Sequence, residues 1–216
     1  MSIHPTSLLM SVKESYNIWA KTYDQVENPT RDLDKKATEE TLRKLDFTHV
    51  LELGCGTGKN SQWLGENSER VIAIDFSEEM LKIAREKVQM KHVTFFQHDL
   101  NEMWPIQPEY MNLITCNLTL EHIYNLNFIF QQAYNILQPG GHFFICELHP
   151  FKQYKGSKAR FEMEGNTHTL ETFTHHVSSF TGAARLNNFR LRKLNEWFDE
   201  DNGDIPRLIS FVFEKY

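Results

Sequence analysis

LELGCGTGKN, Leu51–Asn60, is the stretch whose reading decides the fold. A short apolar run, VLEL (Val50–Leu53), enters Gly54-Cys55-Gly56-Thr57-Gly58, and a helix-like segment, Lys59–Gly65, leaves it. Glycines at a strand-to-helix turn let the backbone turn tightly and approach a ligand with no side chain in between. The next apolar run, VIAI (Val71–Ile74), ends at Asp75, twenty-one residues after Gly54. A carboxylate in that position can accept hydrogen bonds from ribose hydroxyls. Either feature alone is ordinary βα architecture. Together in one βαβ unit they point to a nucleoside-bearing cofactor.

Working outward, apolar runs of strand length recur at VTFF (Val93–Phe96), MNLITC (Met111–Cys116) and HFFIC (His142–Cys146). Helix-like segments lie between them at Glu78–Gln89 and Leu120–Leu137. The first opens on Ser77 as N-cap and carries Met80, Leu81, Ala84 and Val88 on one face. The second is closed by Gln138-Pro139-Gly140-Gly141, a strong stop signal. Such alternation predicts an α/β fold, a mostly parallel sheet with helices on both faces. Residues 1–47 read as helical, broken at Asn28-Pro29, with Leu33, Ala37, Thr41 and Leu45 near one face. Residues 149–175 read as irregular and are too long for a plain connection. Val177–Leu186 reads as a helix, and Arg190–Trp197 and Leu208–Phe213 as strands around a hairpin tip at Asp199–Gly203. That hairpin would place an antiparallel strand at one end of the sheet.

The chain has 216 residues, 40% of them hydrophobic, including 16 Phe, which is ample for a core without disulfide or metal. Its net charge of −6 disfavours a nucleic-acid partner. No apolar run approaches the roughly 20 residues that span a bilayer, and the N-terminus lacks the character of a signal peptide. Three cysteines, an odd number without CxxC spacing, suit a reducing compartment, so a cytoplasmic setting is expected.

Three nucleoside-binding patterns compete. A Walker A loop needs four residues between its first glycine and the Gly-Lys pair, then Ser or Thr; here the interval is three and Asn60 follows. A dinucleotide site prefers GxGxxG, whereas this turn reads GxGxG after Glu52. Tyr154 and Lys158 have the spacing of a short-chain dehydrogenase pair, but Gly156 lies between them in a loop-like context.

ELGCGTG with its acidic strand end resembles the first motif of class I S-adenosylmethionine-dependent methyltransferases. VIAIDFSEEML, FFQHDLNE, MNLITCNLTLEHI and ILQPGGHFFICELHP are similar to the family's next four segments, in order, across residues 50–150. The resemblance implies a Rossmann-like seven-stranded sheet with an antiparallel C-terminal strand, and S-adenosyl-L-methionine as cofactor. It implies one methyltransferase domain over 1–216: an N-terminal helical lid (1–47), a cofactor-binding core (48–148), a substrate-side insertion (149–175) and a helix and hairpin completing the sheet (176–216). By the same resemblance Gly54, Cys55 and Gly56 pass under the methionine moiety, and Asp75 bridges the ribose hydroxyls. Phe76 and Met80 flank sugar and adenine, although packing at a helix start would equally account for them. Asp99 and the Leu100 backbone meet the adenine, while Asn117 and Leu118 lie beneath the sulfonium. Tyr16, Trp19 and Tyr23 resemble lid aromatics. Arg31 pairs with the methionine carboxylate or, alternatively, with Asp32 or Asp34 at the surface.

The expected acceptor is an O, N or C atom of a small molecule. Asn117-Leu118-Thr119-Leu120 departs from the Asp/Asn-Pro-Pro-aromatic motif of base N-methylation, and no cysteine follows a proline as C5 chemistry requires. His122 and His149 are the candidate bases, with His175 and His176 lying ahead of the next helix. Glu121-His122 is similar to a metal-binding Glu-x-x-Glu-His, but Leu118 occupies the first ligand's place, so no metal is expected. Lys152, Lys155, Lys158 and Arg160, with Tyr154, form either a lid facing an anionic or aromatic acceptor or a solvated loop. A nicotinamide-dependent oxidoreductase and a catalytically silent S-adenosylmethionine-binding sensor or partner subunit stand as alternative functions. The oligomeric state is not legible in the sequence.

Overall fold

The computed structural model describes residues 10–163, 165–200 and 202–216. Within them α1 (Val12–Tyr23) and α2 (Pro29–Leu42) precede a sheet of alternating units: β1 (His49–Leu53), α3 (Lys59–Glu66), β2 (Arg70–Asp75), α4 (Glu78–Lys87), β3 (Val93–Gln97) and β4 (Met111–Asn117). A 3-10 turn (Leu120–His122), α5 (Leu126–Ile136) and β5 (Leu137–Leu148) follow. The chain ends with α6 (Pro150–Tyr154), β6 (Arg160–Met163), β7 (Asn166–Thr169), α7 (Val177–Leu186), β8 (Phe189–Asp199) and β9 (Asn202–Lys215). The first nine residues of the N-terminal segment read as helical, and Asp201 in the hairpin tip, lie outside the described residues.

Seven strands form one sheet in the order β3-β2-β1-β4-β5-β9-β8. The pairs from β3 to β5 are parallel, whereas β9 runs antiparallel to both β5 and β8. The antiparallel strand is therefore one in from the edge, and β8 is the edge. Alternation along the strands divides the core into two layers. Leu51, Phe143, Ile145, Phe211 and Phe213 pack with α5 and α7, where Phe130 meets Phe143, Phe189 and Phe213 edge-on. Val50, Phe144, Cys146 and Val212 pack on the other face with Ala37, Trp63 and Leu81 from α2, α3 and α4.

Local signals explain the helix starts. Ser11 and Glu14 form a capping box on α1. Asn28 Oδ1 accepts from the Thr30 and Arg31 N–H groups with Pro29 at the first turn of α2, and Ser77 caps α4. Elsewhere the structure corrects the expectation. The helix read over Leu120–Leu137 is two pieces, because the Glu147 carboxylate accepts from the Thr119 and Leu120 N–H groups and Asn125 starts α5 afresh. Gln138-Pro139-Gly140-Gly141 does end that helix, but it bulges within β5, with Gly140 at φ +78° and a register shift opposite Met111/Leu113. Residues 149–175 are not irregular throughout: β6 and β7 pair antiparallel around Gly165 at φ +77°. β9 also begins before the predicted Leu208, with Pro206 accommodated at an irregularity opposite Phe198.

Candidate active site

At the carboxyl ends of β1, β2 and β4 the chain encloses a cavity of about 330 Å3. The glycine turn forms its floor. Gly54, Gly56 and Gly58 have φ of +68°, +52° and +77°, in the left-handed region that favours glycine. A Cβ at Gly54 would lie 2.2 Å from Thr119 Oγ1, so the turn and the segment leaving β4 approach too closely for any side chain. A Cβ at Gly56 would meet nothing within 4 Å, which leaves that backbone open to the cavity. Cys55 and Thr57 complete the floor.

Asp75 sits at the end of β2, nearly buried, with one carboxylate oxygen accepting from the Gly56 N–H at 2.9 Å and the other from the Ser77 N–H at 2.8 Å. Burial pushes its pKa up to about 6 despite these donors. Glu52 on β1 accepts from the Ser61 hydroxyl, and burial pushes its pKa up to about 8. Asp34 on α2 accepts from Asn60 and from Asn117, whose amide also reaches Thr38 at 2.8 Å. Burial raises the Asp34 pKa too. These three carboxylates line the cavity, and among the described residues none of them has an ion-pair partner.

Phe76, Asp99 and Leu100 form one wall. Asp99 accepts from the Asn101 N–H and amide at 2.9 Å. Asn117 and Leu118 form another, with Leu118 at φ +49°, strained for a non-glycine residue and tied by its N–H to the Cys146 carbonyl. Met80 is different: it is fully buried in α4 and does not line this cavity.

α1 covers the opening. It is fixed by Asn17, which accepts from the Ser77 hydroxyl at 2.7 Å, and beyond its end by Asp24, which accepts from Thr57 and Lys87. Tyr16 packs against Phe76 and, edge-on, against His122. Tyr23 also lines the cavity, and burial raises the pKa of its hydroxyl to about 12. The ring of His122 is fixed at both nitrogens. Nδ1 is 3.0 Å from the Glu171 carbonyl, which can only accept, so Nδ1 carries the proton and Nε2 accepts from the Tyr16 hydroxyl at 3.0 Å. Burial lowers the His122 pKa and raises that of Tyr16 well above its usual value, so both are neutral near pH 7.

Arg31 does not make the expected surface pair with Asp32 or Asp34. Asp32 pairs with Lys59 at 2.6 Å, while the Arg31 guanidinium lies 4.2 Å from the Tyr23 ring centroid and donates to the Tyr23 and Val26 carbonyls. Its Nε is buried without a partner among the described residues.

His149 is also placed apart. It caps α6 by accepting from the Phe151 N–H and bonds Glu196 at 3.1 Å, outside this cavity. His175 bonds the Leu120 and Ile123 carbonyls, and His176 bonds Tyr154. Among the described residues no group of three His, Cys, Asp or Glu side chains could hold a metal ion. Sequence reasoning passed over Asp34 and Glu121 as cavity residues. The spacing Arg31–Asp34, one helical turn, was the available signal for the first. Glu121, beside His122, has a pKa raised by burial to about 7.

A family profile for the methyltransferase domain matches residues 51–145. The chain is 28% identical over 222 residues to malonyl-(acyl-carrier protein) O-methyltransferase of Marinomonas sp., covering 96% of this chain and 80% of that protein. It is 30% identical over 144 residues to demethylmenaquinone methyltransferase of Leptospira interrogans, covering 61% of this chain and 58% of that one. In fold it is similar to an S-adenosylmethionine-dependent methyltransferase from Mesorhizobium loti (TM-score 0.72, 19% identity, 85% of this chain and 98% of that one). It is similar also to a DhpI–SAM–HEP complex (TM-score 0.75, 21% identity, 98% and 99%). The family profile covers the segments from β1 to β5 that build the cavity floor, and the solved structures share the fold. Residues 51–145 thus carry the methyltransferase domain, and the fold of the chain is that of the S-adenosylmethionine-dependent methyltransferases.

Proposed function

We propose that the chain transfers a methyl group from S-adenosylmethionine to an O, N or C atom of a small organic acceptor, with the donor held in the cavity over the glycine turn. One observation carries the assignment of residues: Gly56, open to the cavity, shares a hydrogen bond with Asp75 at the end of the next strand. The donor set fits the cofactor. Buried carboxylates at Asp34, Glu52 and Asp75, with no ion-pair partner among the described residues, suit a ligand that brings an ammonium and a sulfonium, and the Arg31 Nε, likewise without a partner among them, suits its carboxylate. Gly54, Cys55 and Gly56 would hold the methionine moiety. Asp75 would take the ribose hydroxyls, Phe76, Asp99 and Leu100 the adenine, and Asn117, Leu118 and Tyr23 the region around the sulfur.

When bound, S-adenosylmethionine supplies a methyl group on a good leaving group. The protein's part is alignment and exclusion of water. For a hydroxyl or amine acceptor, Tyr16 and His122 provide a proton path: the Tyr16 oxygen takes the acceptor's proton as its own passes to His122 Nε2. His149 would serve as a positioning residue for α6. The named activities of the relatives, on malonyl-(acyl-carrier protein) and demethylmenaquinone, support a metabolite acceptor. Three free, buried cysteines are in keeping with a cytoplasmic setting, and among the described residues no helix is long and apolar enough to cross a membrane.

Calorimetric titration of S-adenosylhomocysteine into wild type, Asp75→Asn and Asp75→Ala tests the cofactor assignment. Loss of the carboxylate's hydrogen bonds should cost about 2–3 kcal/mol, roughly 30- to 150-fold in affinity. Unaltered binding in both variants would remove Asp75 from the site.

A further inference from the structure

Beside the first cavity lies a second of about 300 Å3. Tyr16, Tyr23, Arg31 and Leu118 line both, so the two spaces meet along shared side chains. The second is walled on one side by Trp19 of α1 and on the other by Ser157–Arg160, with Asn28, Thr30, Leu148 and Glu121 also lining it. Phe161 is buried and stacks on Trp19 with ring centroids 5.5 Å apart and an interplanar angle of 17°. That stack anchors the start of β6 and carries Lys158 and Arg160 to the cavity wall. Lys152 and Lys155 of the same basic run are not part of it, and Lys155 lies over the Phe151 ring.

Charge is distributed unusually here. In the first cavity Lys13, Arg31 and Lys59 are outnumbered by Asp34, Glu52, Asp75 and Asp99, whereas in the second Arg31, Lys158 and Arg160 meet one carboxylate, Glu121, in a chain of net charge −6. Among the described residues the Lys158 and Arg160 side chains make no hydrogen bond or ion pair, although carboxylates are plentiful in the sequence. Glu121 is the acidic side chain in the wall, and its Oε2 lies 3.4 Å from the Gln153 amide. Lys158 and Arg160, exposed at the side of a half-open space lined by Tyr16, Trp19 and Tyr23, suit an anion that also carries a flat apolar body.

We infer that the second cavity is the acceptor site and takes a small aromatic or similarly flat organic anion, a carboxylate or phosphate, whose charge is held by Lys158 and Arg160. Arg31 stands at the junction with the donor cavity. The role of the bound anion as methyl acceptor rests on the methyltransferase reading; the anion site itself does not.

The test titrates benzoate, phenyl phosphate, inorganic phosphate and benzyl alcohol calorimetrically into the full chain saturated with S-adenosylhomocysteine. Benzoate or phenyl phosphate should bind at least tenfold more tightly than benzyl alcohol, and phenyl phosphate more tightly than inorganic phosphate. Lys158→Ala/Arg160→Ala should weaken the aromatic anions about 30-fold while S-adenosylhomocysteine affinity, which also reports folding, shifts less than twofold. Lys152→Ala/Lys155→Ala should change neither. Benzyl alcohol binding as tightly as benzoate, inorganic phosphate matching phenyl phosphate, or a double variant that binds the anions normally would overturn the inference. So would absence of anion binding to the loaded wild type. If S-adenosylhomocysteine itself fails to bind while the anions bind in the pattern described, the methyltransferase reading falls and the anion site stands.

Discussion

Glu52 offers a direct measure of how the cavity floor is built. Its carboxyl is buried, its hydrogen-bond donor is the Ser61 hydroxyl, and its pKa is pushed from 4.5 up to about 8. The folded state therefore holds this proton more tightly than the unfolded chain. Below pH 4.5 both states are protonated and the group has no differential effect; between pH 4.5 and 8 folding stability falls as pH rises, and above pH 8 the penalty is complete. Across that window each pH unit costs at most about 1.4 kcal/mol, which sets an upper bound of about 5 kcal/mol. Local relaxation reduces it, and about 2 kcal/mol is the working expectation. Glu52→Gln keeps the shape and can still accept from Ser61, but it cannot titrate. Urea denaturation from pH 5 to 9 should show the variant within about 0.5 kcal/mol of wild type at pH 5 and about 2 kcal/mol more stable at pH 8.5. A ligand ammonium would hold Glu52 ionised, so binding S-adenosylhomocysteine at pH 7 should release a proton from wild type, read as a dependence of calorimetric heat on buffer ionisation enthalpy. Parallel urea curves, or a wild type that gains on the variant as pH rises, would refute the reasoning.

Two further perturbations separate folding from binding. Gly54→Ala places a methyl 2.2 Å from Thr119 Oγ1 at φ +68° and should cost about 3 kcal/mol or more in urea denaturation. Gly56→Ala, at φ +52° with nothing within 4 Å, should cost only about 1 kcal/mol of stability yet weaken S-adenosylhomocysteine more than about tenfold; equal losses in the two assays would contradict an open backbone. For a hydroxyl or amine acceptor, His122 must be neutral to receive a proton, and burial lowers its pKa from 6.5. The acid limb of kcat should therefore lie below pH 6.5, and Tyr16→Phe should lower kcat by on the order of 100-fold without raising KM in proportion; an unchanged kcat would dismiss the proton path.

Features set by neighbours in sequence were legible. The turn Gly54–Gly58 is flanked by its own strand and helix, and Ser77 caps the helix it precedes. Features set by distant partners were not. β6 depends on Phe161 reaching Trp19, which no local pattern encodes. The break after the 3-10 turn depends on Glu147, far along the chain, accepting two backbone N–H groups. At the site, linear position could not tell Asp99, on the cavity wall, from Met80, turned into the core one helix earlier. His122 and His149 look alike as residues just past strand ends, but the first meets Tyr16 while the second is committed to Glu196. The charge pattern of Lys152–Arg160 gave the sign of the insertion, not which two of its four cations line the second cavity.

The position of β9 has a consequence for how the chain is made. Although last in sequence, it lies between β5 and β8 and supplies Ile209, Phe211, Val212 and Phe213 to both layers of the core. During synthesis β5, with Phe143, Phe144 and Ile145, must wait through residues 149–201 with one hydrogen-bonding edge unpaired. An apolar strand edge held open that long is a template for other chains. The nascent protein is most vulnerable to aggregation just before its final strand emerges, and chaperone dependence should concentrate in that interval.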